Sequence, residues 1–250
     1  MFHTSSYAWG KKGHDVIAHI AERHLSAKAA QRVDELLDGR SMVYYANWMD
    51  NASHTKAYKE SATWHYLNIE KRKDLATTPR LKEGDLLTAL TQIEAELRAA
   101  KSSDNKLSHS ELSDRLKMYI HLIGDLHQPM HLGRPEDKGG NLIPVIYFIE
   151  ATSLHALWDY FIVEGAHDWS YTEWADQLDR IGAEEQTQIT SGSYANWLVA
   201  THIYTVELYR NTPVESHISY EYIDKYRPLV EQQFLYAGLR LGAMLNEIFD

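Results

Sequence analysis

The sequence predicts a mostly α-helical protein built as a single-domain multi-helix bundle. Apolar residues recur with helical spacing along most of the chain, as at Leu86, Leu90 and Ile93. No linker rich in proline, glycine or serine, no low-complexity tract and no internal repeat divides the 250 residues. The longest mostly apolar stretch, 142–149, is far shorter than the about 20 residues that span a bilayer. These observations favour one domain with a helical core.

Capping residues and helix breakers place the first helices. An apolar stripe at Val16, Ile17 and Ile20 predicts a helix close to the N-terminus. Ser26 is a favourable N-cap for a second helix, which Gly39 should end.

The helix in the middle of the chain has two possible caps. Either Ser108 or Ser110 can cap a helix that carries Leu116. This helix should stop near Gln128, because Pro129 disfavours the α conformation in the residue before it.

The segment 132–150 should be irregular, since Gly133 and Pro135 open a run of helix breakers. Within it, the region around 141–150 is expected to form a short β-hairpin or an extended loop. Apolar periodicity then predicts four further helices, at 154–162, 171–181, 194–209 and 220–248. Pro228 should kink the last of these.

The charge and the amino-acid composition limit the possible functions. The chain carries a formal net charge of -10 at neutral pH, which opposes nonspecific binding to a polyanion. A site that handles phosphate would therefore need its positive charge from bound metal. Cysteine is absent, so the chain forms no disulfides, and any zinc must be held by histidine and carboxylate groups.

Residues 1–8 are expected to be a leader or a signal remnant. Ser6, Tyr7 and Ala8 give the small-x-small pattern that precedes signal-peptide cleavage, which would make Trp9 the new N-terminus. The basic and apolar regions of a signal do not precede this pattern. The segment is therefore either the end of a signal or not a signal at all.

Two His-x-x-x-Asp pairs are the strongest functional feature of the sequence. They are His121 with Asp125 and His155 with Asp159. On a helix, each pair places its imidazole and its carboxylate one turn apart on the same face, where they form half of a metal site. A third donor, His131, follows the first pair closely.

Further histidine and aspartate residues in apolar or aromatic surroundings extend this set to five His and three Asp. A zinc ion takes about four ligands, so the set is too large for one ion and sufficient for two or three. The candidate side-chain ligands are His14, Asp50, His65, His121, Asp125, His131, His155 and Asp159.

The segments that carry these donors resemble a known family. They are Trp9-Gly10, Gly13-His14, Trp48-Met49-Asp50, His65-Tyr66, 121–131, 137–141, 155–159 and 237–241. From Trp9 onward, the chain is similar to the zinc-dependent single-strand-specific nucleases of the S1/P1 type, which include plant bifunctional nucleases. The resemblance implies their mostly α fold, which they share with zinc-dependent phospholipase C.

The resemblance also implies three zinc ions. One would bind Asp50, His65, His121 and Asp125, and a second would bind His131, His155 and Asp159. The third would bind His14, Asp125 and the amine and carbonyl of Trp9, so that Asp125 bridges two ions and is the central catalytic residue. The amine of Trp9 can bind metal only when it is free, which implies cleavage after Ala8 and an exported protein, periplasmic or secreted.

The implied activity is hydrolysis of single-stranded DNA and RNA to 5′-phosphate products through a zinc-activated hydroxide. Activity on 3′-nucleotides is expected as well, in a monomer that does not span a membrane. Tyr66 and Asn68 occupy the positions of the family's base pocket, so they are the expected substrate-binding residues. Asn68 departs from the usual Asp, and Ser53 stands where the family often has a basic residue.

Two other functions remain open at this point. In zinc-dependent phospholipase C the final ligand is usually Glu and the loop before it is shorter. Asp159 and the 24-residue separation of His131 from His155 therefore favour the nuclease. A non-catalytic zinc-binding protein would need no open coordination position and no stacking aromatic residue.

Overall fold

The computed structural model describes residues 9–100 and 106–250, and the expected leader at 1–8 lies outside these ranges. The predicted mostly α fold is confirmed. The α-helices are α1 (Gly10–Arg23), α2 (Ala27–Leu36), α3 (Met42–Tyr45), α4 (Trp48–Ala52), α5 (Leu86–Ala99), α6 (His109–Leu126), α7 (Leu154–Ala156), α8 (Ile162–Ala166), α9 (Tyr171–Leu178), α10 (Ala183–Thr190), α11 (Tyr194–Asn211) and α12 (Tyr220–Phe249).

Shorter helical segments connect some of these helices. Three are 3₁₀ turns, at Lys59–Thr63, Pro129–Leu132 and Pro135–Asp137. The fourth, Leu157–Phe161, is a π-helical segment that joins α7 to α8.

Local hydrogen bonds explain where the predicted helices begin and end. The Ser26 hydroxyl accepts a bond from the Ala29 amide at the start of α2. Gly39 follows the end of α2 with a φ of 73°, the left-handed conformation that glycine adopts without strain. Ser108 is the cap of α6, because it forms a reciprocal capping box with Glu111.

A small sheet accompanies the helices, with β1 (Pro144–Tyr147), β2 (Glu150–Ser153) and β3 (Ser216–Ile218) in the order β2-β1-β3. β1 and β2 are the expected hairpin, and β3 pairs with β1 in parallel. The sequence analysis did not predict β3, since three residues are too few to show an apolar periodicity.

Two predicted helix ranges differ from the structure. The helix expected at 154–162 is divided into α7, the π-helical segment and α8, and it continues to Ala166. The helix expected at 171–181 ends at Leu178, because Asp179 leaves the helical conformation. α12 continues through Pro228 without interruption. The kink at this residue stays a prediction.

The core forms around α1, which packs against α12, α9 and α3. Its first turn is covered by aromatic rings: the ring of Trp9 lies 4.9 Å from that of Phe234 and 6.5 Å from that of Trp158. α6 packs between α5 and α12. This arrangement brings the His14 end of α1 to the C-terminal half of α6. Among the described residues, no helix has the length and apolar character needed to cross a membrane.

The contact of α1 with α12 depends on Gly238, where a Cβ would lie 2.6 Å from the Cβ and Cγ2 of Ile20. We expect Gly238→Ala to lower the free energy of unfolding by about 1–3 kcal/mol, because the added methyl overpacks this contact. Denaturant unfolding measures the change. Ala243→Gly, on the same helix, is the control for helix propensity. A gain of about 1 kcal/mol in Gly238→Ala, which propensity alone would give, would contradict the prediction.

Candidate metal centre

His121 and Asp125 lie on one face of α6, and both side chains are fully buried. His121 Nε2 is 3.5 Å from Asp125 Oδ2. From α1, the ring of His14 stacks on that of His121 with centroids 3.9 Å apart, and its Nε2 lies 3.5 Å from Asp125 Oδ1. Gly124 makes room for this stack, since a Cβ there would lie 2.7 Å from His14 Nδ1.

Asp50 and His65 meet the same helix from the other side. Asp50, on α4, places Oδ1 3.3 Å from His121 Nε2. His65 follows the first 3₁₀ turn, and its Nδ1 lies 3.0 Å from Asp125 Oδ2 and 3.9 Å from Asp50 Oδ1. Asp50, His65 and His121 therefore form a second buried group with donor geometry suited to a metal ion.

The third group contains His131, His155 and Asp159. His155 Nε2 lies 3.1 Å from Asp159 Oδ2, and His131 Nε2 lies 3.8 Å from Asp159 Oδ1. The π-helical segment carries Asp159, and π-helical turns occur frequently at functional sites. His131 Nδ1 is also 3.7 Å from Asp125 Oδ1, so Asp125 lies between all three groups.

Backbone carbonyls orient three of the imidazoles. The Nδ1–H groups of His121, His131 and His155 donate to the carbonyl oxygens of Ala46, His65 and Gly139, at 2.8, 2.6 and 2.7 Å. A bond from Nδ1–H makes Nε2 the nitrogen that a metal binds, in place of a proton. The backbone therefore directs Nε2 of each ring toward the carboxylates.

Six buried polar atoms at this centre have no hydrogen-bond partner among the described residues. Leaving such an atom unsatisfied costs about 1–3 kcal/mol. All six belong to metal-ligating residue types and lie in the three groups, so the donor set fits bound cations. The atoms are Nε2 of His14, His65, His121 and His131, Oδ2 of Asp50 and Oδ1 of Asp125.

The electrostatics around His121 and Asp125 favour positive charge, whereas burial lowers the pKa of His14 and that of His131. Burial disfavours the charged imidazole of His121, but Asp125 and Asp50 outweigh it and raise its pKa to about 9. Burial alone would raise the pKa of Asp125, whereas His121 and His131 hold it well below its usual range. The carboxylate of Asp125 thus remains ionised at neutral pH.

The structure brings all eight candidate side chains into this one centre. It also places His14 beside His121, so that His121 can join either of two groups. Trp9 is the buried N-cap of α1. His14 follows five residues later on the same helix.

A cavity of about 560 Å³ adjoins the centre. It shares His155 with the third metal group, which opens the centre toward the cavity. Tyr66 and Asn68 lie in its wall, so both expected substrate-binding residues face the same space. Other lining residues are Pro79, Lys138 and Asn141.

Sequence analysis missed the groups that orient the donors. The carbonyls of Ala46 and Gly139 act through their backbone atoms, for which side-chain identity gives no signal. The π-helical turn at Asp159 was missed because a four-residue spacing of His155 and Asp159 predicts an ordinary α-helix.

Three His/Asp groups around one carboxylate are suited to hold metal ions, as the sites of metal-dependent enzymes are. Comparison with known proteins identifies the class further. A family model described as S1/P1 Nuclease matches residues 9–250, and the chain belongs to this family. The protein is therefore an enzyme, a hydrolase of the single-strand-specific endonuclease class.

Several characterised proteins are similar to the chain over nearly its whole length. Endonuclease 4 of Arabidopsis thaliana is 27% identical over 268 residues, which cover 97% of this chain and 89% of the plant protein. Nuclease S1 of Aspergillus oryzae is 26% identical, with 97% and 92% covered. Nuclease P1 of Penicillium citrinum is 27% identical, with 96% and 97% covered.

The close approach of Gly124 to His14 gives a direct test of the centre. We expect Gly124→Ala to displace the His14 ring and to weaken zinc binding by about 10–100-fold, the range seen when the support of a ligand is lost. Zinc retained after dialysis against a chelator measures the effect. Ser113→Ala, on the first half of α6, is the control and should keep its metal. Equal retention in both variants would show that His14 does not contribute to binding.

Proposed function

We propose that this protein hydrolyses single-stranded DNA and RNA to 5′-phosphate products, with additional 3′-nucleotidase activity. The single observation that carries the proposal is the convergence of seven histidine and aspartate donors around Asp125, beside an open cavity. We further propose that the centre holds three zinc ions, in keeping with the absence of cysteine.

The distribution of contacts around Asp125 supports its assignment as a bridging ligand. Its Oδ2 faces His65 and His121, at 3.0 and 3.5 Å. Its Oδ1 faces His14 and His131, at 3.5 and 3.7 Å. Each oxygen can therefore serve a different ion. The proposed sets are Asp50, His65, His121 and Asp125; His131, His155 and Asp159; and His14, Asp125 and the main chain of Trp9.

Zinc in these sites would lower the pKa of coordinated water to about 7 and would neutralise phosphoryl oxygens. The residues of the chain hold the donors in place, and His121 and His131 keep the Asp125 carboxylate ionised. Three divalent ions would also offset six of the ten net negative charges. This reconciles an acidic protein with a polyanionic substrate, since the positive potential is concentrated where phosphate must bind.

The adjoining cavity suits a base that is not paired in a duplex. The half-buried ring of Tyr66 offers a stacking face, and bases of single strands stack on such rings. Asn68 Oδ1 is buried and has no hydrogen-bond partner among the described residues. Because an amide offers both an acceptor and a donor, Asn68 is suited to read the edge of a base. A carboxylate at this position would only accept.

We also propose that the mature domain comprises residues 9–250 and is exported after cleavage following Ala8. The family match begins at Trp9, and the third proposed zinc set needs a free amine there. If residues 1–8 stay attached, this nitrogen is an amide and binds metal poorly.

A substrate panel tests the proposal. Single-stranded DNA, single-stranded RNA, a 3′-nucleotide and phosphatidylcholine are each incubated with the protein, with and without a chelator. We expect hydrolysis of the first three and its loss on chelation. Hydrolysis of phosphatidylcholine alone would indicate a phospholipase, and the absence of any hydrolysis would indicate a protein that only binds zinc.

Asp125→Asn should abolish nuclease activity and release metal. The substitution preserves the shape of the side chain but removes the charge on which all three groups converge. Activity on single-stranded DNA and zinc content per chain are the two measurements. Asp176→Asn, in an exposed ion pair with Arg23, is the matched control and should behave as the wild type. Unchanged turnover in Asp125→Asn would rule out the bridging role.

The form that begins at Trp9 should be much more active than the form that retains residues 1–8. The reason is that only the former has an amine available to the third zinc set. Both forms are purified, and their activity and zinc content are compared. Equal activity together with equal zinc content would refute the role of the amine.

A further inference from the structure

Gln128 is a fully buried polar residue between the two ligand motifs. It follows the end of α6 and caps the 3₁₀ turn that carries His131. Its backbone amide donates to the Asp125 carbonyl at 3.0 Å, and its carbonyl accepts from the His131 amide at 3.1 Å. Its main chain is thus fixed to both neighbouring metal-group residues.

The side chain of Gln128 reaches a third residue of the centre. Its Oε1 accepts from the Met130 amide at 2.5 Å, and its Nε2 donates to Asp159 Oδ1, 31 residues away in sequence. Gln128 thereby joins the motif of α6 to the carboxylate on the π-helical segment.

This pair of contacts requires an amide. The reversed orientation would place the NH₂ group against the Met130 N–H, and Oε1 against the Asp159 carboxylate. Donor would then face donor and acceptor would face acceptor, so the hydrogen-bond partners fix the orientation. An ionised glutamate could not donate to Asp159, and an apolar residue of the same size could make neither bond.

The bond also fixes the rotation of the Asp159 carboxylate. With Oδ1 held by Gln128, the other oxygen lies 3.1 Å from His155 Nε2, and Oδ1 lies 3.8 Å from His131 Nε2. Among the described residues, the bond from Gln128 is the hydrogen bond that reaches the Asp159 carboxylate from outside the metal groups. Its loss would leave the carboxylate free to rotate. The carboxylate and the two imidazoles form the third metal group.

We propose that Gln128 is a positioning residue that presets Asp159 for metal binding in the His131, His155 and Asp159 group. The inference rests on the proposed zinc function. In it, the side-chain amide of Gln128 links the segment that carries His121 and Asp125 to the segment that carries His155 and Asp159. A supporting group of this kind typically contributes a factor of about 10–100 in metal affinity.

The test compares zinc retention in two variants. Gln128→Met removes both hydrogen bonds without adding charge, and Gln128→Glu keeps the size but removes the donor. Zinc-loaded wild type and variants are exposed to graded concentrations of a chelator, and the zinc retained per chain is counted. Both variants should lose one zinc ion per chain at a chelator concentration about 10–100-fold lower than the concentration that removes it from the wild type. The remaining equivalents should be released as in the wild type.

The matched control is Gln232→Glu. Gln232, on α12, also accepts with one amide atom and donates with the other, but its partners are the hydroxyls of Tyr204 and Tyr236. Its zinc retention should equal that of the wild type. The zinc ions that a variant still binds show that it is folded, because their donors come from α1, α4 and α6.

Three results would overturn the inference. Wild-type retention in both Gln128 variants would show that Asp159 needs no such support. Simultaneous release of every equivalent in both would assign Gln128 a general structural role. If the wild type itself retains no zinc, the proposed function fails and the inference fails with it. Since the first two results leave wild-type zinc binding intact, they are distinguishable from the third.

Discussion

The burial of histidine and aspartate donors without enough hydrogen-bond partners is the constraint on which the centre depends. Six such atoms lie together in the interior, and isolated charges or unpaired polar groups in that position are strongly unfavourable. Asp125 is the focus, because its two oxygens face four imidazoles. The raised pKa of His121 and the lowered pKa of Asp125 have the same origin. Each of these two groups stabilises the charged form of the other.

The scaffold holds the donors in place through groups that are not themselves candidate ligands. Carbonyls of Ala46, His65 and Gly139 fix the ring orientations. Gly124 allows the His14 ring to lie against α6, where it stacks on that of His121. Gln128 connects the segments that carry the two histidine–aspartate pairs. Such preorganisation matters because donors held in place do not have to be ordered when an ion binds.

The arrangement also relates the acidity of the protein to its class of substrate. A nuclease with a net charge of -10 cannot attract a polyanion through a broad basic surface. Cations bound in the centre, beside the open cavity, would confine the positive potential to the place where a phosphoester would react. Stacking on Tyr66 would then add affinity that does not depend on charge.

The sequence by itself determined the long helices and the donor set. Helical periodicity and the caps at Ser26 and Ser108 are local properties, which hydrogen bonds within a few residues fix. Only the tertiary structure decided which donors meet, because residues as distant as His14 and His155 come together through the packing of α1, α6 and the segment after the hairpin. It also decided the π-helical turn at Asp159 and the pairing of β3. The physical reason is that these features are stabilised by contacts between remote segments, and spacing along the chain does not record such contacts.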